Sequence, residues 1–306
     1  MTSQLTTRIR NVTVANRDAF LEYARTFGPE HDESYVAAPE DLAAFDPKRE
    51  PGVIALGRDD AVLGAASVML HGYSEEGLGR FRILHAADPA LYAPMLERVL
   101  KRLPERVQRP FLFLPENAGP IEAELVSWGF VETRRAYLLT HARPGSVREV
   151  PPPPDTLLMP ATGADAATWA RVVNEAFHGE PGRYEMTAEG ARDLLTRPRI
   201  IRDGTLTAWR VGQPIGVVLA IGDPDDPSSV EIETLAVVPG HQGGGIGKAL
   251  LRTALRAAAA EGCKSVTLST GAANRRALKL YADAGFKVDD VRVCWQVERA
   301  PAQGRA

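Results

Sequence analysis

The 306 residues include only two cysteines, Cys263 and Cys294, too few for a disulfide framework. Neither falls into a zinc-holding spacing with the six histidines, so no metal is expected. No 18 consecutive apolar residues occur, and the opening MTSQLTTRIRNVTV lacks the apolar core of a signal peptide. A cytoplasmic protein without a membrane partner is the expectation. Charge of one sign is missing too. Lys and Arg number 18 against 21 Asp and Glu in residues 1–150, and 18 against 18 in the rest. Neither half offers the positive field that nucleic acid or an anionic membrane would need. What is present is 44% hydrophobic residues over a length that suits two domains, each able to bury a core.

The run Pro151–Pro154 cannot continue a helix or a central strand and marks a linker over 148–156. It divides the chain near its midpoint, and the two sides repeat. Gly52, Arg58 and Gly64 recur as Gly204, Arg210 and Gly216 at one constant offset, each set spanning a strand, a short turn and a second strand. Trp128-Gly129-Phe130 likewise matches Ala284-Gly285-Phe286. In the second half, strands are expected at 157–159, 205–210, 215–221, 230–238, 265–269 and 291–297, and helices at 165–177, 187–195, 246–261 and 274–284. Hairpins followed by strand–helix–strand–helix units imply an α+β fold: two tandem domains, each a mixed, mostly antiparallel sheet flanked by helices. The expected boundaries are 1–147 and 157–299, with a flexible tail at 300–306.

Between Val230 and Leu251 a β-rich run stops at Pro239, a glycine-dense loop follows, and an Ala/Leu helix begins. Gly243, Gly244, Gly245 and Gly247 let the backbone approach a ligand closely. Free N–H groups at a helix start form a nest for phosphate. A Walker loop would need Gly at 242 and Ser or Thr at 249, where Gln242 and Ala249 stand. A dinucleotide fingerprint counted from Gly243 would need Gly where Lys248 sits. What remains is Gln242-x-x-Gly245-x-Gly247. Further on, Asn274 is a natural N-cap and Gly285 a natural stop for the intervening helix, within N-x-x-A-x-x-L-Y-x-x-x-G-F.

These two segments resemble the signatures of the GNAT acetyltransferase superfamily, whose members use acetyl-coenzyme A as co-substrate. The resemblance implies that the backbone of Leu235, Ala236 and Val237 pairs with the pantetheine arm and polarises the thioester. It implies further that Gln242, Gly243, Gly244, Gly245, Ile246 and Gly247 hold the pyrophosphate, that Asn274 contacts the cofactor, and that Tyr281 protonates the departing thiolate. Glu231 and Glu233 share one face of their strand. Glu231 stands where several acetyltransferases carry the base that deprotonates the acceptor amine, and Glu233 is the second candidate, acting through water. Ser269 stands where some relatives place a glutamate, so that base is excluded. His241 reads as a solvated surface group at the loop, and Arg275 and Arg276 as solvated surface charges at the helix start. Cys263 and Cys294 read as structural.

The first half lacks the loop. Its corresponding stretch, from Phe81 to Tyr92, has no glycine, and Asp88 would repel a diphosphate. The resemblance therefore implies a degenerate first domain beside an active second one, acting on the amine of a small molecule or peptide. The tandem layout and length are also similar to mycothiol synthases. A sensor that binds acyl-coenzyme A without turnover is the alternative from another class, opposed by Glu231 and Tyr281.

Overall fold

A computed structural model describes residues 7–36, 42–179 and 185–299. The chain forms two compact units. Unit 1 takes described residues of 1–33, 37–136 and 291–306, and unit 2 takes Ser34–Val36 and Tyr137–Asp290. The tail expected at 300–306 lies outside the described residues.

In unit 1 the chain runs through β1 (Arg8–Asn11), α1 (Arg17–Phe27), β2 (Gly52–Leu56), β3 (Val62–Met69), β4 (Leu78–Ala86), α2 (Tyr92–Leu100), β5 (Arg109–Pro115), α3 (Pro120–Ser127) and the start of β6 (Val131–His141). Strands β1 to β4 pair antiparallel in sequence order, and β4 pairs parallel with β5. Phe20, Phe81, Met95 and Leu96 are among its fully buried side chains. Unit 2 holds β7 (Thr156–Pro160), α4 (Ala166–Ala176), α5 (Ala188–Leu195), β8 (Leu206–Arg210), β9 (Gln213–Gly222), β10 (Ser229–Val237), α6 (Ile246–Ala260), β11 (Ser265–Gly271) and α7 (Arg275–Ala284). Strands β7 to β10 are antiparallel neighbours, and β10 runs parallel to β11. The last strand, β12 (Lys287–Gln296), belongs to unit 1 from Val291 onward, where Arg292–Gln296 pairs antiparallel with β5. Each unit is thus a mixed, mostly antiparallel sheet with flanking helices. Among the described residues no helix is long and apolar enough to cross a membrane.

The repeat is structural. A Cβ on Gly64 would stand 3.0 Å from the His85 carbonyl and 3.1 Å from Met95 of the following helix. One on Gly216 would stand 3.0 Å from the Ala236 carbonyl and 3.2 Å from Leu250. At both places a strand presses against its neighbour and the helix above it, so a side chain would force a carbonyl or the helix to give way. Helix α6 is amphipathic, burying Leu250, Leu251, Ala254, Leu255 and Ala258 against the sheet. Truncating Leu250 to Ala would cost about 2–5 kcal/mol.

Both units also open their sheet at the same point. In unit 2 the β10–β11 pairing runs only from Ser229↔Ser265 to Glu231↔Thr267, although β10 continues to Val237. In unit 1 the β4–β5 pairing ends at Arg80↔Phe111. A β-bulge follows in each case, at Arg82 of β4 and Glu233 of β10.

Candidate active site

The opening beside β10 becomes a cleft of about 360 Å³. Leu235, Ala236 and Val237 form one wall, the loop from His241 to Lys248 another, and Asn274, Ala277 and Tyr281 of α7 with its cap a third. Val238 N–H donates to Ile215 O across the β9 side. Alternation along the strand therefore turns the N–H groups of Leu235 and Val237 to the open edge.

Gly243 and Gly245 have φ of 81° and 88°, with Gly244 between them outside the left-handed region. A side chain would be strained at either position, by about 1–2 kcal/mol. Gly245 is the N-cap of the 15-residue α6 and provides no side-chain cap, so the first N–H groups of that helix have no such partner. Gln242 braces the loop: its amide donates to Val237 O at 2.9 Å and its carbonyl accepts from Arg276 at 2.5 Å. His241, Lys248, Arg276 and Lys279 also line the cleft, and among the described residues Asp283 is its one carboxylate. A backbone cradle at a helix start, ringed by cations and continuous with an unpaired strand edge, fits a diphosphate attached to an amide-bearing arm.

Tyr281 is 6% exposed, and burial pushes its phenol up to about 12, so it stays protonated. Among the described residues its hydroxyl has no hydrogen-bond partner, and its ring meets Phe286 edge-on. Asn274 caps α7 by accepting from Ala277 N–H at 3.1 Å, while its side chain also reaches the cleft wall. Of the residues singled out from sequence, Gly244 and Ile246 belong to the loop but do not line the cleft, and Ile246 is 1% exposed, its side chain packed in the core.

The two glutamates are brought to one stretch of β10 but treated differently. Glu231 is 2% exposed and accepts a hydrogen bond from Val36 N–H at 3.0 Å, a contact no local pattern announces. Glu233, on the bulge, pairs with Arg197 at 3.1 Å. Neither lines the cleft. Arg276, expected as a solvated charge, grips Gln242, and Phe177, Lys248 and Lys279, not among the expected site residues, also line the cleft. Lys248 carried a signal, since it lies in the first turn of the glycine-capped helix.

Unit 1 has the same opening, filled by its own residues. His31 is 3% exposed, and its Nε2 accepts from Leu84 N–H at 3.3 Å. The β3–β4 and β9–β10 registers make Leu84 the counterpart of Leu235. Burial pushes the His31 imidazole down to about 3, so it is neutral and free to accept. Asp88 caps the following turn by accepting from Ala90 N–H at 2.9 Å. At the end of α3, Phe130 N–H donates to Leu125 O as Phe286 N–H donates to Tyr281 O, so buried Leu125 stands where unit 2 has the phenol.

The family model for the acetyltransferase (GNAT) family matches residues 169–286. A mycothiol acetyltransferase from Cellulomonas flavigena is 28% identical over 254 residues, covering 78% of this chain and 69% of its own. Another, from Thermomonospora curvata, is 30% identical over 205 residues, covering 65% and 67%. The solved structure of a tandem GNAT protein from the clavulanic acid biosynthesis pathway covers 97% of this chain and all of its own at a TM-score of 0.67 and 17% identity, a likeness of fold.

Proposed function

Because the chain belongs to the GNAT acetyltransferase family, whose members use acetyl-coenzyme A and act on amines, we propose that unit 2 acetylates a primary amine by direct attack, with no covalent enzyme intermediate. The chain is an acyltransferase. The observation that carries the finer reading is the cleft itself, in which an unpaired strand edge, an uncapped helix start and one protonated phenol meet.

In this reading the loop Gln242–Gly247 and Arg276 hold the diphosphate. The N–H groups of Leu235 and Val237 hold the pantetheine arm and the thioester oxygen, and Asn274 orients the arm from the α7 cap. Glu231 takes a proton from the acceptor nitrogen, directly or through one water. A C–N bond then forms as the C–S bond breaks, and Tyr281 gives its proton to the departing sulfur. Glu231 is preferred over Glu233 because it stands at the strand position where several acetyltransferases carry their base, while Glu233 pairs with Arg197. An acceptor amine with a pKa near ~10.4 arrives protonated, so a buried carboxylate must first attract it and then relieve it of the proton.

Both named relatives are mycothiol acetyltransferases, and that favours a specific acceptor: the cysteinyl amine of a pseudo-disaccharide thiol. The test is coenzyme A release measured over that amine and a panel of polyamines, amino sugars and peptide N-termini. The cysteinyl amine is expected to have the highest kcat/KM. Preference for another class would overturn the acceptor assignment, and binding of acetyl-coenzyme A with no release on any amine would overturn the transfer itself. Tyr281→Phe is expected to lower kcat about 10²-fold while leaving coenzyme A affinity within about threefold.

A further inference from the structure

Behind α7, at the end opposite Asn274, unit 2 has a second pocket of about 420 Å³, which shares no lining residue with the cleft. Arg143, Arg148, Arg252 and Lys287 converge on it, with His141 and Gly285 beside them, and among the described residues none that lines it is acidic. Elsewhere in unit 2, Arg171 pairs with Glu175, Arg197 with Glu233, Arg256 with Glu149 and Lys279 with Asp283. Those last two pairs engage the carboxylates that flank the pocket in sequence. Among the described residues, none of the four pocket cations has a carboxylate partner.

A cluster of arginines at a helix C-terminus has an ordinary explanation, the capping of exposed carbonyls. Here that task is already done by two side chains. Arg252 donates to Arg148 O at 3.1 Å and to Asp283 O at 3.3 Å, and His141 Nε2 lies 3.0 Å from Ala284 O. The side chains of Arg143, Arg148 and Lys287 are left over. Arg252 also keeps a buried Nε–H with no hydrogen-bond partner. A buried donor of this kind is costly unless something accepts from it.

We propose that this pocket is a second anion site of unit 2, taking a small phosphate ester. Planar guanidinium forks match phosphate oxygens two at a time, and three of the four cations are arginines. The volume suits a small metabolite better than a lone ion. The site is distinct from the diphosphate loop, which lies at the other end of α7, so both anions can be held at once.

The test uses the full chain saturated with coenzyme A, which blocks the loop, titrated calorimetrically with inorganic pyrophosphate. One further site per chain is expected. The double substitution Arg143→Gln/Lys287→Gln should weaken it at least about tenfold, given the strength of charge-assisted hydrogen bonds. Arg148→Gln should do the same should the double variant fold poorly, and coenzyme A affinity should stay within about twofold in either. Arg171→Gln, a cation elsewhere on unit 2, should leave pyrophosphate binding unchanged. Citrate, of similar charge, should bind at least about tenfold more weakly. The absence of a second site on the saturated chain, retention of it in the pocket variants, or an equal loss in Arg171→Gln would overturn the proposal. Equal affinity for citrate would overturn the phosphate assignment.

Discussion

At matching register positions, β4 of unit 1 carries Arg80 and Arg82 where β10 of unit 2 carries Glu231 and Glu233. The bulge residues are treated alike despite opposite charge. Arg82 lies 2.9 Å from Glu50, both nearly buried, and Glu233 pairs with Arg197. A bulge side chain at this point is held by an opposite charge whether or not the unit has a cofactor cleft, so the pairing belongs to the fold. The other position differs in kind. Arg80 pairs with Asp32 at 3.1 Å, and the carboxylate of Glu231 accepts from Val36 N–H at 3.0 Å. One register position thus carries a bulge charge common to both units, and the other a carboxylate that only unit 2 has.

Substituting both glutamates tests that difference most severely. Glu231→Gln is expected to lower kcat about 10²–10⁴-fold with coenzyme A affinity unchanged, and Glu233→Gln less than about tenfold, in steady-state thiol release. The reverse order would break the comparison. Next in size is the loop. Gly245→Val imposes strain on a left-handed position and crowds the uncapped helix start, so calorimetry should show coenzyme A affinity falling about 10–100-fold. Wild-type chain should bind one coenzyme A, and a second equivalent would mean that unit 1 is not closed.

The closure of unit 1 has its own test. His31→Ala leaves the buried Leu84 N–H without its acceptor and should cost about 1–3 kcal/mol in denaturant unfolding, with the coenzyme A stoichiometry unchanged. Because the folded pKa of about 3 lies below the unfolded value of 6.5, the unfolded chain takes up a proton that the folded chain refuses. The His31 contribution is therefore intact above pH 6.5 and declines as pH falls from there toward 3. The alanine variant should show a shallower loss over that window, and identical slopes would count against a buried neutral imidazole. The smallest effect is expected from Asn274→Ala, about 1 kcal/mol of stability through the lost cap, read by thermal unfolding.

Much of unit 2 is legible along the chain because its signals are local. Glycines at 243 and 245 spell a backbone conformation, Asn274 and Gly285 bracket a helix, and the spacing of Leu250, Leu251, Ala254 and Leu255 buries one face. The duplication is legible for the same reason, since Gly64 and Gly216 answer the same crowding. The contacts that discriminate between residues are not local. Nothing near Glu231 in sequence indicates Val36, and nothing near Leu84 indicates His31. The periodicity of 291–297 announces a strand but not that it pairs with β5, a strand of the other half of the chain.

What the residues determined unaided is the repeat, the class of fold and the glycine conformations of the loop before α6. Each rests on short-range sterics and hydrophobic periodicity that act within a few positions. What only the tertiary structure decided is which distant groups hold each carboxylate, which strand edge is open, and where cations gather. Those depend on groups distant in sequence meeting in a medium of low dielectric, where one partner more or less changes what a charge can do.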